Sequence, residues 1–305
     1  VGKKLASIIK TVDLRKAYRV GPEVVVALDC INLEIAEGQV CCILGTSGSG
    51  KSTLLNQLAG LEKPTRGNVY ILGKNISKMT EKQLAHFRQK SIGFVFQSYN
   101  LLPGMSAIEN VAMPLTFRGV SKRKRTAIAK EMLKAVGLES RMKHTPAEMS
   151  GGQQQRVGIA RAFAARPKVV FADEPTGNLD TKTTREIMEL FLNFSRQQKI
   201  TIVLVTHDRN LANYADRIVT IMDGRVVKDA ANQSLFDVEK EEAARKAAWE
   251  NDQLPPQEPA PGEPPAEEQK AANEGTEPSA VPEVDTTFGE GQENEKQTPA
   301  ALEEK

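Results

Sequence analysis

Eight consecutive residues, Gly45-Thr46-Ser47-Gly48-Ser49-Gly50-Lys51-Ser52, are spaced as G-x-x-x-x-G-K-[ST]. That spacing suits one chemistry, the cradling of a chain of phosphates. Glycines let the backbone curl until successive N–H groups converge on phosphate oxygens. The helix that must follow adds the partial positive charge of its N-terminus. Lys51 is placed to reach the β- and γ-phosphates, Ser52 to offer its hydroxyl to Mg²⁺, and Thr53 to complete the phosphate-facing set. The flanks are those the motif requires. Before it, Val40-Cys41-Cys42-Ile43-Leu44 reads as a buried strand; after it, Ser52–Ala59 follows a helical pattern that ends at Gly60.

A second apolar run, Val169-Val170-Phe171-Ala172, ends in Asp173-Glu174. A carboxylate at the end of a parallel strand beside a P-loop can hold the Mg²⁺ shell, and Asp173 suits that role. Glu174, the next residue, would point toward a water in line with the γ-phosphate and is the candidate general base.

Elements able to position these groups alternate strand-like and helix-like from residue 1 to about 230, the pattern of an α/β fold. The stretch from about 98 to 164 is mostly helical, including Thr126–Val136, and reads as a helical subdomain inserted between core strands. Ile218–Met222 and Arg225–Val227 read as a closing hairpin, since Asp223-Gly224 favours a tight turn. Ser150-Gly151-Gly152 opens the helical run Gln153–Ala165, a second helix N-terminus fit for an anion. One chain thus carries two phosphate-binding helix ends but one P-loop.

Met149-Ser150-Gly151-Gly152-Gln153 is similar to the L-S-G-G-Q signature of the ATP-binding-cassette (ABC) ATPases, with Met keeping the volume and apolar character of Leu. The chain resembles that family. The resemblance implies a P-loop core with a mostly parallel sheet, an antiparallel β subdomain and the inserted helical subdomain, all within residues 1–232. It also implies an ATP-dependent head-to-tail homodimer, in which each ATP lies between the P-loop of one copy and Ser150, Gly151, Gly152 and Gln153 of the other. Further positions carry over one at a time. Tyr18 stands where an aromatic ring stacks on adenine. Gln97 matches a glutamine that touches Mg²⁺ and the attacking water and joins the core to the helical subdomain. Asp180 matches the loop crossing the dimer interface, and His207 the histidine that contacts the γ-phosphate.

Gly93–Pro103, Glu109–Leu115, Pro146–Ser150, Asp173–Asp180 and the hairpin-like lead-in Gly21–Leu28 resemble the macrolide-export, lipoprotein-release and cell-division members of the family. One departure is Gln39, where Glu is usual. This resemblance implies an ATPase subunit that powers export or extraction of an amphipathic substrate (a lipoprotein, peptide or drug) through a separate integral-membrane permease. Alternatives are a regulatory ATPase switching an extracytoplasmic enzyme and an amino-acid importer ATPase, which would need a solute-binding partner.

Composition fits a cassette on the cytoplasmic face of a membrane. No apolar run approaches the ~20 residues needed to cross a bilayer, and no signal-peptide pattern is present. Cys30, Cys41 and Cys42 offer no paired framework and read as reduced core residues. Residues 251–305 hold 14 acidic and 3 basic residues and 9 prolines, a net charge of −11; the whole chain is +2, so residues 1–250 carry +13. With little to bury, 251–305 reads as a disordered spacer, preceded by a charged, Ala-rich helix at 233–250 containing Trp249. The basic run Lys122-Arg123-Lys124-Arg125, just before a predicted helix, lacks the interleaved aromatics that would stack bases, so no nucleic-acid partner is expected.

Overall fold

The computed structural model describes residues 7–232; the helix expected at 233–250 and the acidic tail at 251–305 lie outside the described residues. In chain order the elements are β1 (Ser7–Val20), β2 (Glu23–Ala36), β3 (Val40–Leu44), α1 (Lys51–Leu58), β4 (Arg66–Ile71), β5 (Lys74–Asn75), α2 (Glu81–Ser91), β6 (Ile92–Phe96), α3 (Ala107–Phe117), α4 (Lys122–Ala135), α5 (Gly151–Ala164), β7 (Val169–Asp173), α6 (Thr181–Gln198), β8 (Thr201–Thr206), α7 (Arg209–Ala212), β9 (Arg217–Met222) and β10 (Arg225–Ala231).

Two sheets form. The larger runs β10-β9-β3-β8-β7-β6, parallel except for β10; the smaller is antiparallel, β2-β1-β4-β5. The central strands β3, β7 and β8 are near-continuous apolar runs because both faces are covered. In β3, Cys42 joins a core layer with Val170, Leu204 and the α5 and α6 side chains, while Cys41 and Ile43 face the opposite layer with Leu54 and Leu58 of α1. The two neighbouring thiols therefore point apart, and burial pushes the Cys41 thiol up to about 12 and lifts that of Cys42 further. On the helical side Phe163 of α5 stacks on Phe194 of α6 with centroids 4.9 Å apart.

The expected hairpins are present. Met222 pairs with Arg225 across Asp223 (φ 46°) and Gly224 (φ 72°), the two positive φ values a type I′ turn needs. Val20 pairs with Glu23 across Gly21 (φ 59°) and Pro22.

Two readings need correction. Cys30 is exposed, not in the core. It lies at φ 53° where the β1–β2 register shifts between Leu14↔Ile31 and Lys16↔Leu28, and a bulge re-aims the side chain it contains. The basic run does not precede its helix but forms the first turn of α4. Cations there oppose the helix dipole, yet Lys and Arg are good helix formers and the helix extends through them.

Candidate nucleotide-binding site

Strand register builds the site. In the parallel sheet Phe96 lies level with Asp173, Asp173 with Val205, and Leu44 with Thr206. The residues that leave these carboxyl ends are Gln97, Glu174, His207 and Gly45. Four segments far apart in sequence thus deliver their chemistry to one rim, the place where open α/β sheets bind ligands. Gly45–Gly48, Gly50–Thr53, Gln97, Glu174 and His207 line a cleft of about 800 Å³ there.

The loop from Gly45 to Gly50 depends on glycine at named points. A Cβ on Gly45 would fall 2.5 Å from the Ile221 carbonyl, and one on Gly50 (φ 99°) 2.5 Å from the Ala27 carbonyl. Gly50 is the N-cap of α1 and provides no side-chain acceptor, and the first turn has no acidic residue. The first-turn amides of α1 therefore have no cap from the chain itself. Lys51 is buried and its Nζ donates to the Thr46 carbonyl at 2.7 Å. Ser49 is buried beneath the loop, its Oγ without a partner.

Burial raises the Asp173 carboxyl above its ordinary range, and the charge of Glu174 adds to this; Lys51 and the Ser52 hydroxyl act the other way. Asp173 Oδ1 is buried and finds no hydrogen-bond partner. A hard cation with oxygen ligands fits that orphaned atom. Among the described residues no three His, Cys, Asp or Glu side chains cluster as a metal cage. The donors on offer are instead the Asp173 carboxylate, the Ser52 hydroxyl and the Gln97 amide, with room left for phosphate oxygens and water, the manner in which Mg²⁺ is bound.

Glu174 sits at φ 45°, and its N–H donates to the Val205 carbonyl at 2.9 Å. Its carboxylate oxygens lie 2.8 Å and 2.7 Å from Nδ1 of His207. Gln97 packs against the loop beyond Glu174: a Cβ on Gly177 would meet its Nε2 at 2.9 Å, and Asn178 Nδ2 donates to its carbonyl at 3.3 Å.

The other predicted positions lie outside this cleft. Tyr18 is half-buried, its hydroxyl donating to Glu62 at 2.7 Å with Lys16 Nζ 5.0 Å from the ring centroid. Burial and Glu62 raise its pKa, while the Thr53 hydroxyl beside it acts the other way. Ser150 caps α5 and shares a reciprocal capping box with Gln153. A Cβ on Gly151 would meet the Tyr99 hydroxyl at 2.7 Å, and one on Gly152 would meet Thr183 Cγ2 at 2.8 Å. Asp180 caps α6, accepting from the Thr183 amide at 3.0 Å and hydroxyl at 2.6 Å, bonds that hold its carboxyl below the usual range.

Two residues that sequence reasoning passed over connect these loops. Gln155, fully buried, donates from Nε2 to the Pro175 carbonyl. Arg161 donates to the carbonyls of Asn100 at 2.5 Å and Tyr99 at 2.8 Å, both in the loop after Gln97. Nothing local in Gln153-Gln154-Gln155 marks the buried glutamine; for Arg161 the signal was a basic residue within the apolar run Ile159–Phe163.

Comparison with known proteins agrees with this geometry. A profile of the family described as ABC transporter matches residues 28–177. The lipoprotein-releasing system ATP-binding protein LolD of Geobacter metallireducens is 47% identical over 225 residues, 74% of this chain and 100% of that protein. The macrolide export ATP-binding/permease protein MacB of Vibrio parahaemolyticus is 45% identical over 238 residues, and the match spans 36% of its length. Among solved structures, the dimeric ATP-binding cassette MJ0796 in a post-hydrolysis state bound to ADP and Pi superposes with a TM-score of 0.70 at 42% identity, covering 74% of this chain and 99% of that one. With a P-loop, Asp173 and Glu174 at one sheet rim and this identity across the whole of a relative, the chain belongs to the ABC transporter family as one of its ATP-hydrolysing cassettes.

Proposed function

We propose that two copies of this chain pair head-to-tail and close on ATP, and that the cycle of closing and opening drives an integral-membrane permease that exports or extracts an amphipathic substrate. The observation that carries the reading is the convergence of the P-loop, Glu174, His207 and Gln97 on one cleft, with the signature at Ser150 outside its lining.

Lys51 and the P-loop amides hold the phosphates. Asp173 and Ser52, with Gln97, would hold Mg²⁺, which when bound neutralises phosphate charge and orients the γ-phosphoryl group. Glu174 accepts a proton from the attacking water, and His207, bonded to it through Nδ1, steadies the carboxylate and leaves its other nitrogen for the γ-phosphate. Ser150 and Gly152 of the second copy complete the site, Tyr18 takes the adenine, and Asp180 meets the partner. Catalysis is then mainly positioning and electrostatic stabilisation.

Separation of ATPase and permease accords with the described residues, where no helix is long and apolar enough to cross a membrane. The cassette would act peripherally at the cytoplasmic face. A second cleft, of about 900 Å³, gives the permease a place to dock; Phe94 and Phe96 of β6, Met113 and Phe117 of α3, and His86 and Arg88 of α2 line it. Phe117 is 66% exposed, an apolar side chain unexplained by the core. Relatives named for lipoprotein release and macrolide export support an amphipathic substrate.

The test is a pull-down of tagged Glu174→Gln protein with Mg-ATP from its native membranes. The expected partner is a permease with a few spans and a large outer domain; a many-spanning partner with a solute-binding protein would overturn the export reading. Phe117→Asp should weaken capture by about 2 kcal/mol, on the order of 30-fold, and leave ATP binding by the isolated chain unchanged.

A further inference from the structure

Three consecutive glutamines follow the signature glycines, and each does something different. Gln153 completes the Ser150 capping box, and Gln154 Nε2 donates to the Met149 carbonyl at 3.1 Å. Gln155 turns inward, is fully buried, and donates from Nε2 to the carbonyl of Pro175.

Pro175 comes directly after Glu174. Glu174 occupies the left-handed region at φ 45°, which a non-glycine residue keeps only when its surroundings impose it. Its N–H is fixed to the Val205 carbonyl at 2.9 Å, and its carbonyl accepts from the Gly177 N–H at 3.1 Å. The next carbonyl along, that of Pro175, is fixed by Gln155. The other half of the Gln155 amide, Oε1, is buried with no partner. That orphan offsets part of what the Pro175 bond contributes to the fold, so the amide is a weak stabiliser at this position, whereas its one bond fixes the peptide next to Glu174.

We infer that Gln155 is a positioning residue for hydrolysis, one that aims Glu174 by fixing the peptide beyond it and ties the start of α5 to the base of the same chain. The inference rests on reading Glu174 as the general base. Arg161 makes the matching connection from α5 to the loop that carries Gln97. In a head-to-tail dimer each chain lends its α5 start to one site and its Glu174 to the other. Gln155 then links the two sites: ATP gripped by Ser150 in one is felt at Glu174 in the other.

Steady-state hydrolysis by the full chain tests this with two variants. Gln155→Met keeps the volume and removes the donor. It should lower kcat by on the order of 10- to 100-fold, the cost of a misplaced catalytic group, with KM for ATP within about twofold of wild type. Added to Glu174→Gln it should leave the ATP-trapped dimer forming as before, because binding and closure do not use the Pro175 bond. Gln155→Glu can donate to the Pro175 carbonyl only while protonated, so its activity relative to wild type should fall as pH rises and the buried carboxyl ionises. A purely structural glutamine would lower the melting temperature of both variants but leave kcat per folded molecule unchanged and the activity ratio flat with pH; that result overturns the inference. Should Gln155→Met not fold, the pH dependence of Gln155→Glu decides alone. Failure of the base assignment is a separate event, seen as hydrolysis by Glu174→Gln whatever the Gln155 variants do.

Discussion

Glu174→Gln hydrolyses ATP at least ~10²- to 10⁴-fold more slowly than wild type, the range expected when a general base is lost, and accumulates as an ATP-bound dimer. The substitution keeps shape and volume and removes the negative charge that accepts the proton. Glu174 contributes little to the fold through its side chain, whose contact is with the exposed His207, so the variant should fold and bind ATP normally. Lys51, Ser52 and the P-loop are untouched, and removing the Glu174 charge takes away one cause of the raised Asp173 pKa. With these phosphate-binding residues intact, affinity for Mg-ATP should hold. Size-exclusion chromatography with light scattering, alongside single-turnover phosphate release, checks both halves. Hydrolysis at near wild-type rate would remove Glu174 as the base.

Lys51→Ala should lose nucleotide binding by about 1.5–3 kcal/mol, on the order of 10- to 150-fold in Kd, the worth of a hydrogen bond to a charged group. Lys51 is largely buried where it lines the cleft, its ammonium bonded to the Thr46 carbonyl at 2.7 Å. Alanine therefore removes a charge from the cleft and also leaves that carbonyl without its donor. Asp173 also loses the cation that opposes the effect of burial, so its carboxyl is pushed further up. Equilibrium binding of a fluorescent ATP analogue, with the melting temperature as a control on folding, measures the loss. Binding as tight as wild type in a folded Lys51→Ala protein would count against the P-loop assignment.

The rim that carries the candidate site was legible because parallel strands place their chemistry one residue beyond an apolar run. Val40–Leu44 and Val169–Ala172 could be read as buried strands from composition alone, with Gly45 after the first and Asp173-Glu174 after the second; His207, identified by resemblance, follows a third strand, Thr201–Thr206. The closing hairpin was legible because Asp223-Gly224 admits little but a tight turn. Features that lay hidden depended on register and on tertiary contact. The exposure of Cys30 comes from a bulge that no single-strand pattern announces. The role of Asp180 as the N-cap of α6, and the tether from Tyr18 to Glu62, require knowing which residues become neighbours. Gln155 is the sharpest case: within Gln153-Gln154-Gln155 nothing local distinguishes the buried glutamine from the two that stay partly exposed on α5.

If each site is shared between two copies, two defective variants should complement one another when mixed. Glu174→Gln supplies an intact signature but no base; Ser150→Arg supplies an intact P-loop and base but a blocked signature. Each alone should hydrolyse ATP poorly. Mixed before ATP is added, they form dimers in which the P-loop and Glu174 of the Ser150→Arg copy face the signature of the Glu174→Gln copy, one complete site. Phosphate release by the mixture should then rise well above the sum of the separate rates. A mixture that stays at that sum would mean that each copy hydrolyses ATP with its own residues alone, contradicting the head-to-tail arrangement.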